Sequence, residues 1–229
     1  VKRFRAVAWD IDGTLIDSEP LHHRALLAAC RDLGTDLSDL PDQAFRGIHV
    51  GDVWKAISPR LPVEVAQAEW LARINDHYVA HRDSLVALPG AVATIRALAT
   101  LDVLQVCVSN SSRSVVDANI DALGIADALA FSLSLDDVAR GKPDPEPYRR
   151  ARERLGVAPD EMAAVEDSLS GVRSARAAGL YVVGYRASGG GFEDVDLEID
   201  RLQEILPLFA RQTRSSRSDG GTAQGDQSN

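Results

Sequence analysis

AVAWDIDGTLIDSEP, residues 6–20, is the stretch on which the reading of this chain turns. Ala6 to Trp9 run without a polar break and stop at Asp10, as a short strand buried on both faces does. Asp12 comes two residues later. In extended backbone, alternate side chains point the same way, so Asp10 and Asp12 share one side at the carboxyl end of that strand. Gly13 permits a tight turn and a close approach of backbone to a ligand.

Outward from this stretch, residues 4–9 read as the strand and 19–33 as a helix, with Leu21, Leu26, Leu27, Cys30 and Leu33 roughly at helical spacing. Residues 41–86 keep a helical pattern through Trp54, Ile57, Trp70, Ile74, Tyr78 and Val79, with no strand expected, and LPG at 88–90 breaks it. Beyond the break the pattern alternates. Helices are expected at 91–100, 113–123 (with Gly124 as the stop), 145–155 and 170–178, and strands at 102–108, 128–133, 162–165 and 180–184. Short strands alternating with helices indicate an α/β fold with a parallel sheet. The expected organisation is an α/β core from residues 1–17 and 87–211, interrupted by an all-helical insert at 18–86. Residues 212–229 are almost devoid of apolar side chains, a composition expected of a disordered tail.

Bulk properties narrow the function. Of 229 residues, 45% are hydrophobic, which suits a globular protein with a core. The net charge is −9, from 34 acidic and 25 basic side chains. That balance argues against a nucleic-acid partner, and no basic run offers a membrane-surface anchor. An anionic substrate would have to be held locally, by a metal ion and a few basic groups. Cys30 and Cys107 sit in apolar runs and suggest a reduced protein rather than a disulfide scaffold. With no secretory leader read at the start and no apolar stretch near the roughly 20 residues that span a bilayer, a cytoplasmic location is expected. Lysine is confined to Lys2, Lys55 and Lys142.

Three further stretches carry chemistry: VCVSNSS at 106–112 and AAVEDSLSG at 163–171, each at an expected strand end, and GKPDPEPY at 141–148, in a loop before a helix. With the first, in this order and with these gaps, they resemble the haloacid dehalogenase-like (HAD) superfamily over about residues 4–186. The chain is similar in particular to its β-phosphoglucomutase, sugar-phosphate phosphatase and phosphoglycolate phosphatase group. The resemblance implies a Rossmann-like parallel sheet with helices on both faces, a small helical cap inserted after the first strand, and a Mg²⁺-dependent phosphatase working through an aspartyl-phosphate.

Asp10, at the end of a strand where α/β sheets bind ligands, is the expected nucleophile: a carboxylate there can attack phosphorus and split one hydrolysis into two steps. By resemblance, Asp12 protonates the leaving oxygen and then activates water, as a single acid–base group can. Dehalogenases and phosphonate-cleaving members lack this second aspartate, so its presence favours phosphate esters. Thr14 is typical of the phosphatases, whereas sugar phosphomutases often carry valine. Ser109, by its hydroxyl, and Asn110, by its backbone amide, are expected to bind the phosphoryl oxygens, and Ser111 or Ser112 to cap the next helix. Lys142 is expected to balance Asp10 against the incoming phosphate. The metal set is Asp10 through its carboxylate, Asp12 through its backbone carbonyl, Asp167, and Glu166 either directly or through water. Ser168 and Ser170 are placed to orient these carboxylates, and Gly171 to let its helix come close.

For the cap, the resemblance implies that His22 reaches into the site and that Arg46, in FRGIHVGD, contacts the rest of the substrate. The arginine that phosphomutases carry a few positions later falls at Val50, which favours hydrolysis, with Arg46 or His49 as possible substitutes. Lys55 reads as a solvated helix lysine, His77 and His81 as an i, i+4 pair without a third ligand, and Trp54, Trp70 and Tyr78 as helix-packing residues. The partner expected is a small phosphorylated metabolite, and the chain a monomer rather than a dimer. A phosphomutase is the enzymatic alternative. A non-catalytic binding module is disfavoured because every catalytic position of the pattern is filled.

Overall fold

The strand β1 (Ala6–Trp9) lies near the middle of a parallel sheet, with both faces covered. The computed structural model describes residues 4–41, 44–45, 50–186 and 191–210. Among them the sheet has six strands. With β4 (Leu104–Val108), β5 (Phe131–Leu133), β6 (Met162–Glu166), β7 (Tyr181–Tyr185) and β8 (Leu197–Ile199), the order is β5-β4-β1-β6-β7-β8, every pairing parallel. Strand residues alternate between two cores. Val7, Trp9, Cys107, Val165 and Val183 join one apolar cluster, and Ala6, Ala8, Val106, Ala164 and Val182 the other, as the two-residue period of a strand requires. Helices α4 (Ala91–Ala99) and α5 (Arg113–Leu123) contribute to the first cluster, and α6 (Glu146–Leu155) and α7 (Leu169–Ala177) to the second. The α/β fold expected from the sequence is the fold observed.

Gly124 and Gly156 close α5 and α6 in the left-handed conformation, so the stop read at Gly124 is a real C-cap. Strand β8 had no counterpart in the sequence reading, because LEI is three residues long and too short to show a period.

Between β1 and β4 the chain builds a helical layer of α1 (Glu19–Asp32), α2 (Val50–Ile57) and α3 (Gln67–Ala80). The layer has an apolar cluster of its own, including Leu21, Leu26, Cys30, Ile57, Trp70, Ile74 and Tyr78, with Val115 of α5 contributing from the sheet side. Trp54 and Trp70 meet at 5.3 Å between ring centroids, so these two tryptophans pack against each other in the layer. The expectation of no strand in 41–86 needs correcting. β2 (Ile16–Asp17) and β3 (Val86–Ala87) pair antiparallel, Ile16 opposite Ala87 and Asp17 opposite Val86. Two-residue strands have no periodicity to read; they form because the outgoing and returning chain run side by side here. Tail residues 212–229 lie outside the described residues.

Candidate active site

The first carboxylate follows β1 directly. The Asp10 amide donates to Val165 O at 3.0 Å, which extends the sheet ladder by one residue and fixes the side chain at the carboxyl edge. Asp10 is 7% exposed. Its Oδ1 receives Lys142 Nζ at 2.6 Å and its Oδ2 receives Thr14 Oγ1 at 2.9 Å. Gly13 makes the turn at φ +81°, and a Cβ there would stand 2.1 Å from Asp167 Oδ2. Glycine is therefore required both by the backbone and by the close approach of Asp167.

Lys142 reaches the site from the loop before α6 and is fully engaged. Its ammonium also meets Glu166 Oε1 at 2.6 Å and Val108 O at 2.8 Å, with the Tyr148 ring centroid 5.2 Å away. Burial works against the ammonium, but Asp10 and Glu166 overcome it and hold Lys142 firmly protonated. Its backbone is clamped by Asn110, whose Nδ2 donates to Lys142 O at 2.9 Å and whose Oδ1 accepts from Lys142 N at 2.8 Å. The Asn110 side chain thus positions Lys142. A Cβ on the preceding Gly141 would fall 2.5 Å from Asn110 Oδ1, so the GKP glycine admits this clamp.

Glu166 ends β6 with no exposed surface. Tyr148 donates its hydroxyl to Oε1, and Ser168 Oγ donates to Oε2 at 3.3 Å. Ser168 also caps α7, accepting from Gly171 N at 3.1 Å, and Ser170 Oγ lies 3.4 Å from Ser168 Oγ. One carboxylate oxygen from each of Asp10, Glu166 and Asp167 falls within 4.8 Å of the others. Burial and then Glu166 push the Asp167 carboxyl up to about 7. Burial pushes Asp10 upward too, Lys142 opposing and the other carboxylates adding to it. Three crowded carboxylates with one lysine among them form an all-oxygen, electron-rich set, the kind of donor set a hard divalent cation takes. The Asp12 side chain stands outside that set.

Asp12 instead faces hydroxyl, amide and imidazole groups. Ser109 Oγ and Ser111 Oγ donate to its Oδ2 at 3.0 and 2.9 Å, Asn119 Nδ2 donates to Oδ1 at 3.0 Å, and His22 Nε2 lies 3.7 Å from Oδ1. Burial would raise its carboxyl, but the His22 imidazole and the Ser18 and Ser111 hydroxyls outweigh it and hold Asp12 well below the usual carboxylate range. His22, on α1, packs at a tilt on Tyr78 of α3, 4.4 Å between ring centroids.

Ser111 and Ser112 need correcting as helix caps. Ser112 occupies the N-cap position but makes no capping bond, and the Arg113 amide is taken by Asp136 Oδ2 at 2.7 Å. Ser111 turns to Asp12. Arg46 and His49 lie outside the described residues. Lys55 pairs with Asp52 at 2.7 Å on the surface, and His77 pairs with Asp32 at 2.6 Å. Sequence reasoning missed Asn119, Ser111 and Tyr148 as site groups. The signal for Asn119 was a polar residue on the apolar face of α5 beside Val115, Val116 and Ile120; Tyr148 stood inside the GKPDPEPY stretch already singled out.

The haloacid dehalogenase-like hydrolase family model matches residues 4–179. The chain belongs to that family. This HAD-like hydrolase is 29% identical over 209 residues to hexitol phosphatase A of Escherichia coli, a match covering 89% of the chain and 94% of that protein. It is likewise 29% identical over 223 residues to the phosphoglycolate phosphatase of Chromobacterium violaceum, covering 91% and 98%. Among solved structures it is similar to CbbY from Rhodobacter sphaeroides in complex with phosphate, with a TM-score of 0.80, 25% identity, and coverage of 90% of this chain and 99% of that one. The HAD-like hydrolase is an enzyme of the phosphatase kind. Among its described residues no helix is long and apolar enough to cross a membrane.

Proposed function

We propose that this HAD-like hydrolase is a Mg²⁺-dependent phosphatase of a small phosphorylated metabolite, of the sugar or polyol phosphate type, acting through an aspartyl-phosphate on Asp10. The observation that carries the reading is the division of labour between two neighbouring aspartates: Asp10 is held by Lys142 and Thr14, Asp12 by Ser109, Ser111 and Asn119. In this reading the first is the nucleophile, beside a fixed positive charge. The second is the proton carrier, among hydrogen-bond donors.

In this reading Asp12 takes up a proton as the substrate binds, an Asp10 oxygen attacks phosphorus, the ester P–O bond breaks, and the departing oxygen takes that proton from Asp12. A water molecule then attacks the phosphorus of the acyl phosphate, gives its proton to Asp12, and the phosphate leaves with the Asp10 carboxylate restored. Ser109 links the steps. Its hydroxyl bonds Asp12 in the described arrangement, and a phosphoryl oxygen competes for it. When Ser109 turns to the phosphoryl group, Asp12 loses a donor and its affinity for a proton rises. The Asn110 backbone amide holds another phosphoryl oxygen, and Lys142 takes one up by giving up one of its present partners. Asp10, Asp167, the Asp12 backbone carbonyl and Glu166 would hold the Mg²⁺ ion, which when bound neutralises charge on the phosphoryl oxygens.

The helical layer supports a cap reading, with residues 18–86 as the cap and 1–17 and 87–211 as the core. The chain crosses between them at β2 and β3, beside the site, and His22 reaches the site from the layer. A cap of this kind excludes bulk water and limits the substrate to something that fits beneath it. Arg46 is assigned to the part of the substrate that does not react. The relatives named as hexitol and phosphoglycolate phosphatases support a small polyol or acid as the esterified part. Phosphate release from a panel of phosphorylated sugars, polyols and short acids, with and without Mg²⁺ and beside Asp10→Asn, tests the reading. Release that needs Mg²⁺ and vanishes in Asp10→Asn is expected. An isomerised sugar phosphate in place of free phosphate would replace hydrolysis with phosphoryl return to a sugar.

A further inference from the structure

A buried chain of hydrogen bonds runs from the helical layer to the proton-carrying aspartate. Tyr78 of α3 donates its hydroxyl to Asn119 Oδ1 at 2.7 Å, and Asn119 Nδ2 donates to Asp12 Oδ1 at 3.0 Å. Tyr78 and Asn119 have no exposed surface. The polarity of the chain is set by chemistry. A carboxylate can only accept from the amide, so the NH₂ end of Asn119 must face Asp12 and its carbonyl must face away, where the phenol donates to it. The same phenol ring packs at a tilt on His22, which also lies against Asp12 Oδ1. One side chain of the helical layer therefore braces two groups that meet a single carboxylate oxygen. The other oxygen is held from the sheet side, by Ser109 and Ser111.

We propose that Tyr78 and Asn119 are positioning residues that aim Asp12 at the leaving oxygen, and that Tyr78 makes this aim depend on the helical layer being docked on the core. Asn119 works directly, by its bond to Oδ1; Tyr78 works through Asn119, by fixing which end of the amide faces Asp12. Neither touches substrate. The proposal rests on the phosphatase reading only in taking Asp12 as the proton donor. It predicts that the relay matters in proportion to how much the leaving group needs a proton. An alkoxide leaves poorly without one, whereas 4-nitrophenolate is stable as an anion and leaves unassisted.

The test follows alcohol or 4-nitrophenol release, which reports the first phosphoryl transfer whatever later accepts the phosphoryl group. The kcat/KM values for glycerol phosphate and 4-nitrophenyl phosphate are measured for the wild type, Asn119→Ala, Tyr78→Phe and the double variant. Asn119→Ala is expected to lose roughly 30-fold on the alkyl ester and under about 3-fold on the aryl ester, a fraction of what full general-acid catalysis supplies. Tyr78→Phe, which keeps the ring and its packing, is expected to lose selectively in the same sense by about 5-fold. The double variant should be no worse than Asn119→Ala, because both act through one amide. Equal losses on both esters, or losses that multiply in the double variant, overturn the relay while leaving the phosphatase reading intact. Selective loss together with phosphoryl return to a sugar upholds the relay and overturns hydrolysis. A wild type that releases neither alcohol nor nitrophenol overturns both.

Discussion

The carboxylate of Glu166 occupies the space a Cβ on Gly171 would need: such an atom would stand 1.9 Å from Glu166 Cδ. Helix α7 can begin where it does, one residue after Ser168, only because its third residue has no side chain. That approach presses the helix onto a fully buried glutamate, which in turn holds Lys142.

Gly171→Ala should therefore displace Glu166 and loosen Lys142. In an exposed helix the change would add roughly 1 kcal/mol of stability. Here phosphate release is expected to fall at least about tenfold, because misplacement near the reacting groups is costly. Steady-state kinetics beside a thermal melt checks this; an active and stabilised variant would contradict the packing argument.

Lys142→Met leaves Asp10 and Glu166 buried without their shared cation. The expected loss is about 3–5 kcal/mol in urea unfolding, with activity abolished. Adding Asp10→Asn to that variant should recover part of the stability and none of the activity, since it removes one of the two stranded charges.

Thr14→Val keeps the shape of the side chain and deletes one hydroxyl, which bonds Asp10 Oδ2 at 2.9 Å and lies 3.4 Å from Asp167 Oδ1. The fold should survive with a cost of about 1–2 kcal/mol. The kcat is expected to fall about tenfold with KM little changed, because the hydroxyl orients the nucleophile and contributes nothing to the rest of the substrate. A change confined to KM would argue against that role.

Metal-free stability should decline as pH rises from about 4 to 7. With its carboxyl raised to about 7, Asp167 keeps a proton in the folded protein over a range where the unfolded chain, near 4, has already released it. The folded state binds more protons there, so its stability falls as protons are withdrawn. In melts with EDTA between pH 5 and 8, Tm is expected to drop, roughly 2–4 °C for each kcal/mol in a chain of this size. Added Mg²⁺ should stabilise more at pH 8 than at pH 5.5, because it competes with that proton.

The sequence by itself determined the α/β class and the alternation of strand and helix beyond residue 90, and it offered Asp10, Asp12, Ser109, Glu166 and Asp167 at strand ends, with Lys142 in a loop, as candidate groups. These follow from local rules. Apolar runs of four or five residues report burial on both faces, and a parallel sheet delivers the residues after its strands to one edge. Only the tertiary structure decided how those groups divide. Lys142 serves both Asp10 and Glu166; Asn110 spends its side chain on the Lys142 backbone; Ser111, read as a helix cap, faces Asp12. The ribbon of β2 and β3 and the link from Tyr78 through Asn119 to Asp12 were likewise out of reach. Each joins residues distant in the chain, and a hydrogen bond between such residues leaves no period or spacing in the sequence. A polar residue on a buried helix face, as at Asn119, announces that a partner must exist. Which partner it is depends on what the fold places opposite.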